Sequence, residues 1–285
     1  MMRPLVLLVL PLALLIASCS DIHVFEGGSR NPHPVKTVVS LSPSTSELAG
    51  AYYRATLEGR TASCDYPPSV KVAPVVMNGV KPDYEKIIYI KPDAVFYDKS
   101  LFKPEDLSKI ESAGIKTYGF GGNSLAEFRK SLWQGASITN NEVLVNDYDD
   151  NIYKNLSNAQ SSLNGKHLKV AIVDPGAGGE FLVAGTGGFL ADIVKQMGQT
   201  PIGPNGPLFA KMNPEQLIAQ NPDVLIVVGN KGAPDKVYAD PRMQATNAWK
   251  KRNFFGIPAD VAEREGARVD QLVLTLGEEL TLAKS

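Results

Sequence analysis
Imidazole is scarce in this chain, whose 285 residues include three histidines. His23 and His33 fall in a Gly/Pro-containing stretch near the amino end, and His167 precedes a predicted strand. A metal centre built from several imidazoles is thereby excluded. A Ser-His-Asp triad fares no better, since no G-x-S-x-G elbow occurs and one histidine is left to act as base within the fold. No metal and no other cofactor is expected. Cysteine is scarcer still: with Cys19 assigned to a processing site (below), no internal disulfide is possible, and Cys64 reads as a small buried apolar residue. Nor is there an excess of one charge. Lysine plus arginine number 29 against 30 acids, a net charge of −1 with a pI near 6.3, which argues against a nucleic-acid surface. The Gly-rich run Asp174-Pro-Gly176-Ala-Gly178-Gly179 lacks the Lys-Ser/Thr of a phosphate loop and reads as a strand-to-strand turn.

The long apolar run is confined to the amino end. Arg3 followed by Leu5 to Ile16 is too short for a permanent span and reads as an export signal covering residues 1–19. It ends in Ile16-Ala17-Ser18-Cys19, small residues directly before a cysteine, which resembles the site of bacterial lipid attachment. The plainer reading is a secretory signal with an incidental cysteine. Residues 20–36 then form a flexible tether marked by Gly27, Gly28, Pro32 and Pro34. An acylated Cys19 would hold the folded part at a membrane surface while leaving it in water.

What is present above all is a repeat. Lys81 to Phe96 aligns without a gap on Lys211 to Ile226, every pair 130 positions apart (215 − 85). Each copy reads as a helix start, a short helix carrying Glu85 or Glu215, a Pro-Asp break at Pro92-Asp93 or Pro222-Asp223, and a buried parallel strand. Copies so far apart predict two similar lobes. The remaining pattern alternates strand and helix. Strands are predicted at Thr37–Leu41, Gly59–Thr61, Val72–Val76, Lys116–Gly119, Leu168–Val173, Phe181–Ala184 and Phe254–Ile257. Ser44-Thr-Ser-Glu47 reads as a capping box opening a helix through about Tyr53. Further helices are expected at Pro104–Ala113, Leu125–Ser137, Gly188–Met197, about Met243–Lys250 and Arg268–Ala283. Asn141 to Leu163 has neither proline nor glycine and places Val143, Leu144, Tyr148, Ile152, Tyr153 and Leu156 at helical spacing. It predicts one rigid helix roughly 35 Å long, a brace between lobes. The fold class is therefore α/β, with two doubly wound, mostly parallel lobes at 37–139 and 165–285 joined by one long helix at 140–164.

Glu85 and Glu215 admit two uses: a paired-carboxylate active site, or solvated first-turn acids stabilised by the helix dipole. Two lobes without a catalytic constellation suit ligand capture at their interface instead, and Tyr66, Phe181 and Phe209 are aromatics near predicted loop ends that could line the cleft.

Val38-Val-Ser-Leu-Ser-Pro43-Ser-Thr-Ser-Glu47, Cys64-Asp-Tyr-Pro-Pro68, Glu85 through Lys91-Pro-Asp93 and Asn221-Pro-Asp223 together resemble the periplasmic cobalamin and ferric-siderophore binding proteins, the class III substrate-binding proteins of ABC importers. The resemblance spans nearly all of residues 36–283. It implies two α/β lobes on one long helix, an exported monomer without enzymatic activity, and one surface glutamate per lobe, Glu85 and Glu215, docking on the permease. Within that family the Asp-Tyr-Pro-Pro loop and Asp260-x-x-Glu263-Arg264 are similar to the cobalamin branch, which implies ligand contacts at Tyr66, Phe209, Asp260 and Arg264. The chain departs from that branch at Ser63 and in the tryptophan-free loop Val76-Met77-Asn78-Gly79, so ferric siderophore and heme stay open, with Tyr66 the candidate iron ligand. The expected ligand is a corrinoid. A chelatase-like or hydrolytic enzyme using Glu85 and Glu215, and a receptor reporting to a sensor, are the remaining alternatives.

Overall fold
The computed structural model describes residues 30–176 and 181–284. The export signal, Cys19, His23 and residues 177–180 of the Gly-rich turn lie outside them. The first half of the fold runs β1 (Thr37–Ser40), α1 (Pro43–Ala51), β2 (Thr56–Thr61), β3 (Val75–Met77), α2 (Tyr84–Ile90), β4 (Ala94–Asp98), α3 (Ser108–Ser112), β5 (Lys116–Phe120) and α4 (Leu125–Thr139). Its strands pair in parallel in the order β3-β2-β1-β4-β5. The order reverses between β1 and β4, and the carboxyl ends of strands at such a reversal leave a crevice for ligands. The long helix α5 (Glu142–Ser162) follows, separated from α4 by Asn140, whose positive φ of 57° ends that helix.

The second half runs β6 (Lys169–Asp174), β7 (Phe181–Val183), α6 (Phe189–Gln196), β8 (Thr200–Pro201), β9 (Ala210–Met212), α7 (Pro214–Gln220), β10 (Val224–Val228), α8 (Ala233–Tyr238), α9 (Asn247–Lys251), β11 (Phe254–Ile257), α10 (Ala259–Ala262) and α11 (Val269–Leu282). Its sheet, ordered β11-β10-β6-β7-β9 with β8 beside β6, is mixed: β7 runs antiparallel to both β6 and β9. The predicted strand-to-strand turn after Asp174 thus joins antiparallel neighbours. Strands as short as β8 and β9, of two and three residues, carry too little alternation to be seen in sequence.

The repeat has a physical basis in both copies. Asp83 and Asn213 cap α2 and α7, each accepting from the backbone N–H three residues on, Lys86 and Gln216. The helices end in left-handed residues, Lys91 (φ 57°) and Asn221 (φ 49°), directly before the prolines. The following aspartates then secure the neighbouring strand. Asp93 Oδ2 accepts from the N–H groups of Lys36 and Thr37 at 2.8 and 2.9 Å, and Asp223 Oδ2 from Lys169 N at 3.0 Å. Exposure agrees at nine of ten positions between 81–90 and 211–220, so both copies bury the same face.

One apolar core spans both halves because α5 carries its stripe through the middle. Val145, Tyr148, Ile152, Leu156 and Ala159 join Phe96 and Phe120 of the first sheet to Val170 and Ile226 of the second. The stripe is shifted from the predicted one: Val143 is 77% exposed, and Tyr153 faces outward under the Arg129 guanidinium, 4.2 Å from its ring. α11 packs Val269, Leu272, Val273, Leu276 and Leu280 into the same core. The Tyr148 hydroxyl donates to Gly266 O at 2.6 Å and accepts from Val269 N at 2.9 Å, fixing where α11 begins.

Helices α5 and α11 approach closely at Gly277, where an added Cβ would stand 2.7 Å from the Cβ of Ala159. In an exposed helix Gly→Ala gains about 0.5–1 kcal/mol, whereas overpacking costs about 1–3 kcal/mol. Gly277→Ala is therefore expected to destabilise the fold in denaturant unfolding, and Ala159→Gly in the same chain to recover part of the loss. A stabilised single variant would show that the helices are free to separate.

Candidate ligand cleft
A cavity of about 470 Å³ lies between the two sheets, within the range of small-molecule sites. One wall comes from the carboxyl ends of β4 and β5 and from α4: Lys99, Ser100, Gly121, Gly122, Asn123, Glu127, Lys130, Ser131 and Gln134. The other comes from the turn after β7, the start of α6, the loop before β9 and the end of α10: Ala184, Gly185, Gly188, Phe189, Leu190, Pro207, Leu208, Phe209, Ala262, Glu263 and Glu265. Gly188 is required there, because any Cβ would collide with the carbonyl of Pro207.

The walls are tied together by polar contacts. Leu125 N, at the positive end of α4, donates to Asp192 Oδ2 of α6 at 2.9 Å. Gly122 N donates to Glu265 Oε2 at 2.8 Å, and the rings of Phe128 and Phe189 meet at 5.7 Å. Glu265 is the most perturbed acid of the cavity. Burial pushes its carboxyl up to about 8, the charges of Asp98 and Glu127 add to this, and the Gly122 N–H and Lys99 oppose it.

Of the residues predicted to meet ligand, Phe209 lines this cavity, half-buried against the core. Tyr66, Asp260 and Arg264 gather beside it around a residue that the sequence reading placed elsewhere. Glu47 does not close a capping box. Helix α1 is capped by Ser42, whose hydroxyl accepts from Thr45 N, and the Glu47 side chain points away from that turn, fully buried. Its carboxylate accepts four hydrogen bonds from the far side of the cleft: Arg264 Nη1 at 3.2 Å, Ala267 N at 3.2 Å, and Arg268 Nε and Nη2 at 3.3 and 2.6 Å. Arg264 reaches on to Asp65 at 2.5 Å. Arg268 binds the Asp260 carboxylate and its carbonyl, and lies over the Tyr66 ring at 4.5 Å. Burial works against the charge on Arg268, yet the bonds to Glu47 and Asp260 hold its pKa above the ordinary value. Neither Glu47 nor Arg268 had been singled out as a site residue. They are separated by 221 positions, so no local pattern announces the pair.

Glu85 and Glu215 are both exposed and neither lines the cavity. Each sits in the first turn of a helix that leads into a parallel strand, β4 or β10. Such a helix starts at the carboxyl end of its sheet, so the two acids hold equivalent positions in the two halves. Cys64 is buried, with its thiol against Ser46 Oγ at 2.7 Å and Ser42 O at 3.4 Å. Among the described residues no group of three or more His, Cys, Asp and Glu is placed to hold a metal ion, and no helix is long and apolar enough to cross a membrane.

The family described as periplasmic binding protein matches residues 38–261. The chain belongs to that family. Its members are exported binding proteins of the ABC import type, not enzymes. This periplasmic binding protein is 23% identical over 196 residues to a vitamin B12-binding protein of Photorhabdus laumondii, an alignment covering 68% of this chain and 71% of that one. It is 25% identical over 125 residues to the vitamin B12-binding protein of Vibrio cholerae serotype O1, covering 42% of this chain and 44% of that protein. Among solved structures it resembles the periplasmic heme-binding protein BhuT in complex with two hemes, with a TM-score of 0.73 at 20% identity over 87% of this chain and 98% of that one. The vitamin B12 binding protein BtuF of Vibrio cholerae superposes with the same TM-score of 0.73, at 18% identity over 88% and 99%. At such identities the structural likeness establishes the fold alone.

Because Glu265 holds its proton in the folded state to about pH 8 but releases it near 4.5 when exposed, the folded state binds more protons between those values. The contribution is fully present below pH 4.5 and is lost as pH rises through 8. Thermal unfolding of the native chain is expected to show this decline, and Glu265→Gln to flatten it. Parallel profiles for the two proteins would refute the assignment.

Proposed function
We propose that this binding protein captures a corrinoid of the cobalamin class in the cleft between its lobes and delivers it to an ABC importer permease, held at a membrane through lipid on Cys19. The lining of the cavity carries the choice of ligand. Two phenyl rings, Phe189 and Phe209, lie among ammonium, carboxyl, amide and hydroxyl groups from Lys99, Lys130, Glu127, Gln134, Asn123 and Ser100. A corrinoid is a planar macrocycle edged with carboxamides, which such a surface can stack on and hydrogen-bond. Heme iron, by contrast, takes an imidazole, thiolate, thioether or phenolate ligand, and the described lining offers none. Tyr66 has its ring covered by Arg268. The names of the curated relatives point to the same ligand class.

The long helix and shared core favour a small hinge motion over wide closure, so affinity rests on a largely preformed cleft. The test is calorimetric titration of the full chain with cyanocobalamin, cobinamide, hemin and a ferric siderophore in parallel. Submicromolar one-to-one binding of a corrinoid is expected. Silence with corrinoids and a signal from hemin or the siderophore would discard the ligand and keep the transport class. Phe209→Ala is expected to weaken corrinoid binding by about 1–3 kcal/mol, by analogy with base–aromatic stacking; an unchanged dissociation constant would return Phe209 to the core.

Glu85 and Glu215 are assigned to permease docking, as a charge pair on the rim that orients the encounter. The double variant Glu85→Ala/Glu215→Ala is expected to leave ligand affinity within about twofold while slowing uptake. Loss of ligand binding in that variant would instead put the two acids in the ligand site.

A further inference from the structure
The arginines beside the cavity are already spent. Glu47, with its side chain 1% exposed, takes the inner edge of both guanidinium groups, and the side chains of Arg264 and Arg268 are themselves 16% and 8% exposed. Their outer edges are closed by Asp65 and Asp260, whose side chains are 49% and 48% exposed. The Tyr66 ring covers a face of Arg268. What an incoming group meets is carboxylate oxygen rather than guanidinium nitrogen. Within the cluster three carboxylates face two guanidinium groups, so both guanidinium groups are already balanced, with Lys71 acting on Asp65 from outside the cluster. The hydrogen bond from Arg264 holds the Asp65 carboxyl below the usual carboxylate range, which keeps it an acceptor. The cluster adjoins the cavity through the segment that supplies Ala262, Glu263 and Glu265 to its wall.

We propose that this edge of the cleft reads hydrogen-bond donors on the ligand and rejects carboxylates, with Asp65 and Asp260 as the reading residues and Arg264 and Arg268 as their fixed supports. The inference rests on the corrinoid reading above and deepens it. A side-chain carboxamide offers two N–H donors to an ionised carboxylate, whereas a carboxylate in the same place meets two like charges whose guanidinium partners are already engaged. The rule separates a carboxamide-edged macrocycle from heme, whose edge carries propionates.

The experiment compares cyanocobalamin with its separated monocarboxylic acids, each made by hydrolysing one side-chain amide, by titration into the full chain at neutral pH. At least one acid isomer is expected to bind about tenfold more weakly than the amide, as a like charge held close at a protein surface requires. Asp65→Asn/Asp260→Asn is expected to reduce that preference to about twofold, because it removes the repelling charges and releases Arg264 and Arg268 toward the ligand. Both aspartates are half-exposed, so the variant should fold, and each single variant should remove part of the preference. Amide and every acid isomer binding alike, or an equal preference in native and double-variant protein, would overturn the charge rule while leaving the corrinoid assignment standing. Failure of cyanocobalamin itself to bind would overturn the functional reading and this inference with it.

Discussion

A single buried carboxylate, that of Glu47, receives hydrogen bonds from residues 264, 267 and 268, and the way the two lobes face each other depends on it. Removing a carboxylate and two guanidinium groups from water costs several kcal/mol per ion, repaid only where every partner is in place. Here they are: no buried side-chain nitrogen or oxygen among the described residues is left without a hydrogen bond. The cluster therefore adds little to net stability compared with an apolar contact of equal size. What it supplies is register. An apolar seam tolerates sliding, whereas four directed N–H donors fit one carboxylate in one position. The helix α5 sets how far apart the lobes stand, and Glu47 sets how they face each other. The cavity between β4, β5, α4 and the α6 and α10 segments exists because both constraints are met together.

The same contrast explains which parts of the fold were legible in sequence. The Pro-Asp repeat was visible because its causes are local: a capping residue, a left-handed helix end before proline, and an aspartate that secures the neighbouring strand. The long helix was visible because 21 residues without proline or glycine carry a clear period, although Val143 and Tyr153, counted into its stripe, face outward. Glu47 was misread for an equally local reason. Ser44-Thr-Ser-Glu47 has the spacing of a capping box, and nothing nearby tells a capping glutamate from one reaching across a cleft. Its partners lie more than 215 positions away. Long-range ion pairs leave no periodic trace, so Arg268 could not be found from one chain. The antiparallel β7 was visible as a strand, but its direction depends on the turn before it.

The candidate site divides along the same line. Phe209 was legible as an aromatic near a predicted loop end, the resemblance gave it a ligand contact, and it lies in the cavity wall. Tyr66 was likewise named as a cleft aromatic, while Asp260 and Arg264 came from the resemblance alone; the three cluster in space, yet each is engaged within the protein: Tyr66 under Arg268, Asp260 with Arg268, and Arg264 with Glu47 and Asp65. The resemblance located the cluster; only the hydrogen-bond geometry shows which of its edges faces outward.

Glu85 and Glu215 illustrate how a repeat can be mistaken for a site. Two identical acids in two copies suggest a catalytic pair, but a repeated segment places equivalent residues at equivalent positions of the two lobes, and neither acid lines the cavity. Both acids stand in the first turn of their helices, at the positive helix end, and the Arg242 guanidinium lies within electrostatic reach of Glu215. Acids so placed are exposed and carried on short, capped helices. Under the proposed docking role those properties would suit recognition by a second protein that must find both lobes at once, with α5 and the Glu47 contact holding the two acids at one spacing. The ruler that holds the cleft in register would then also present the docking pair at a constant spacing, so that binding within the cleft and recognition outside it draw on one rigid frame.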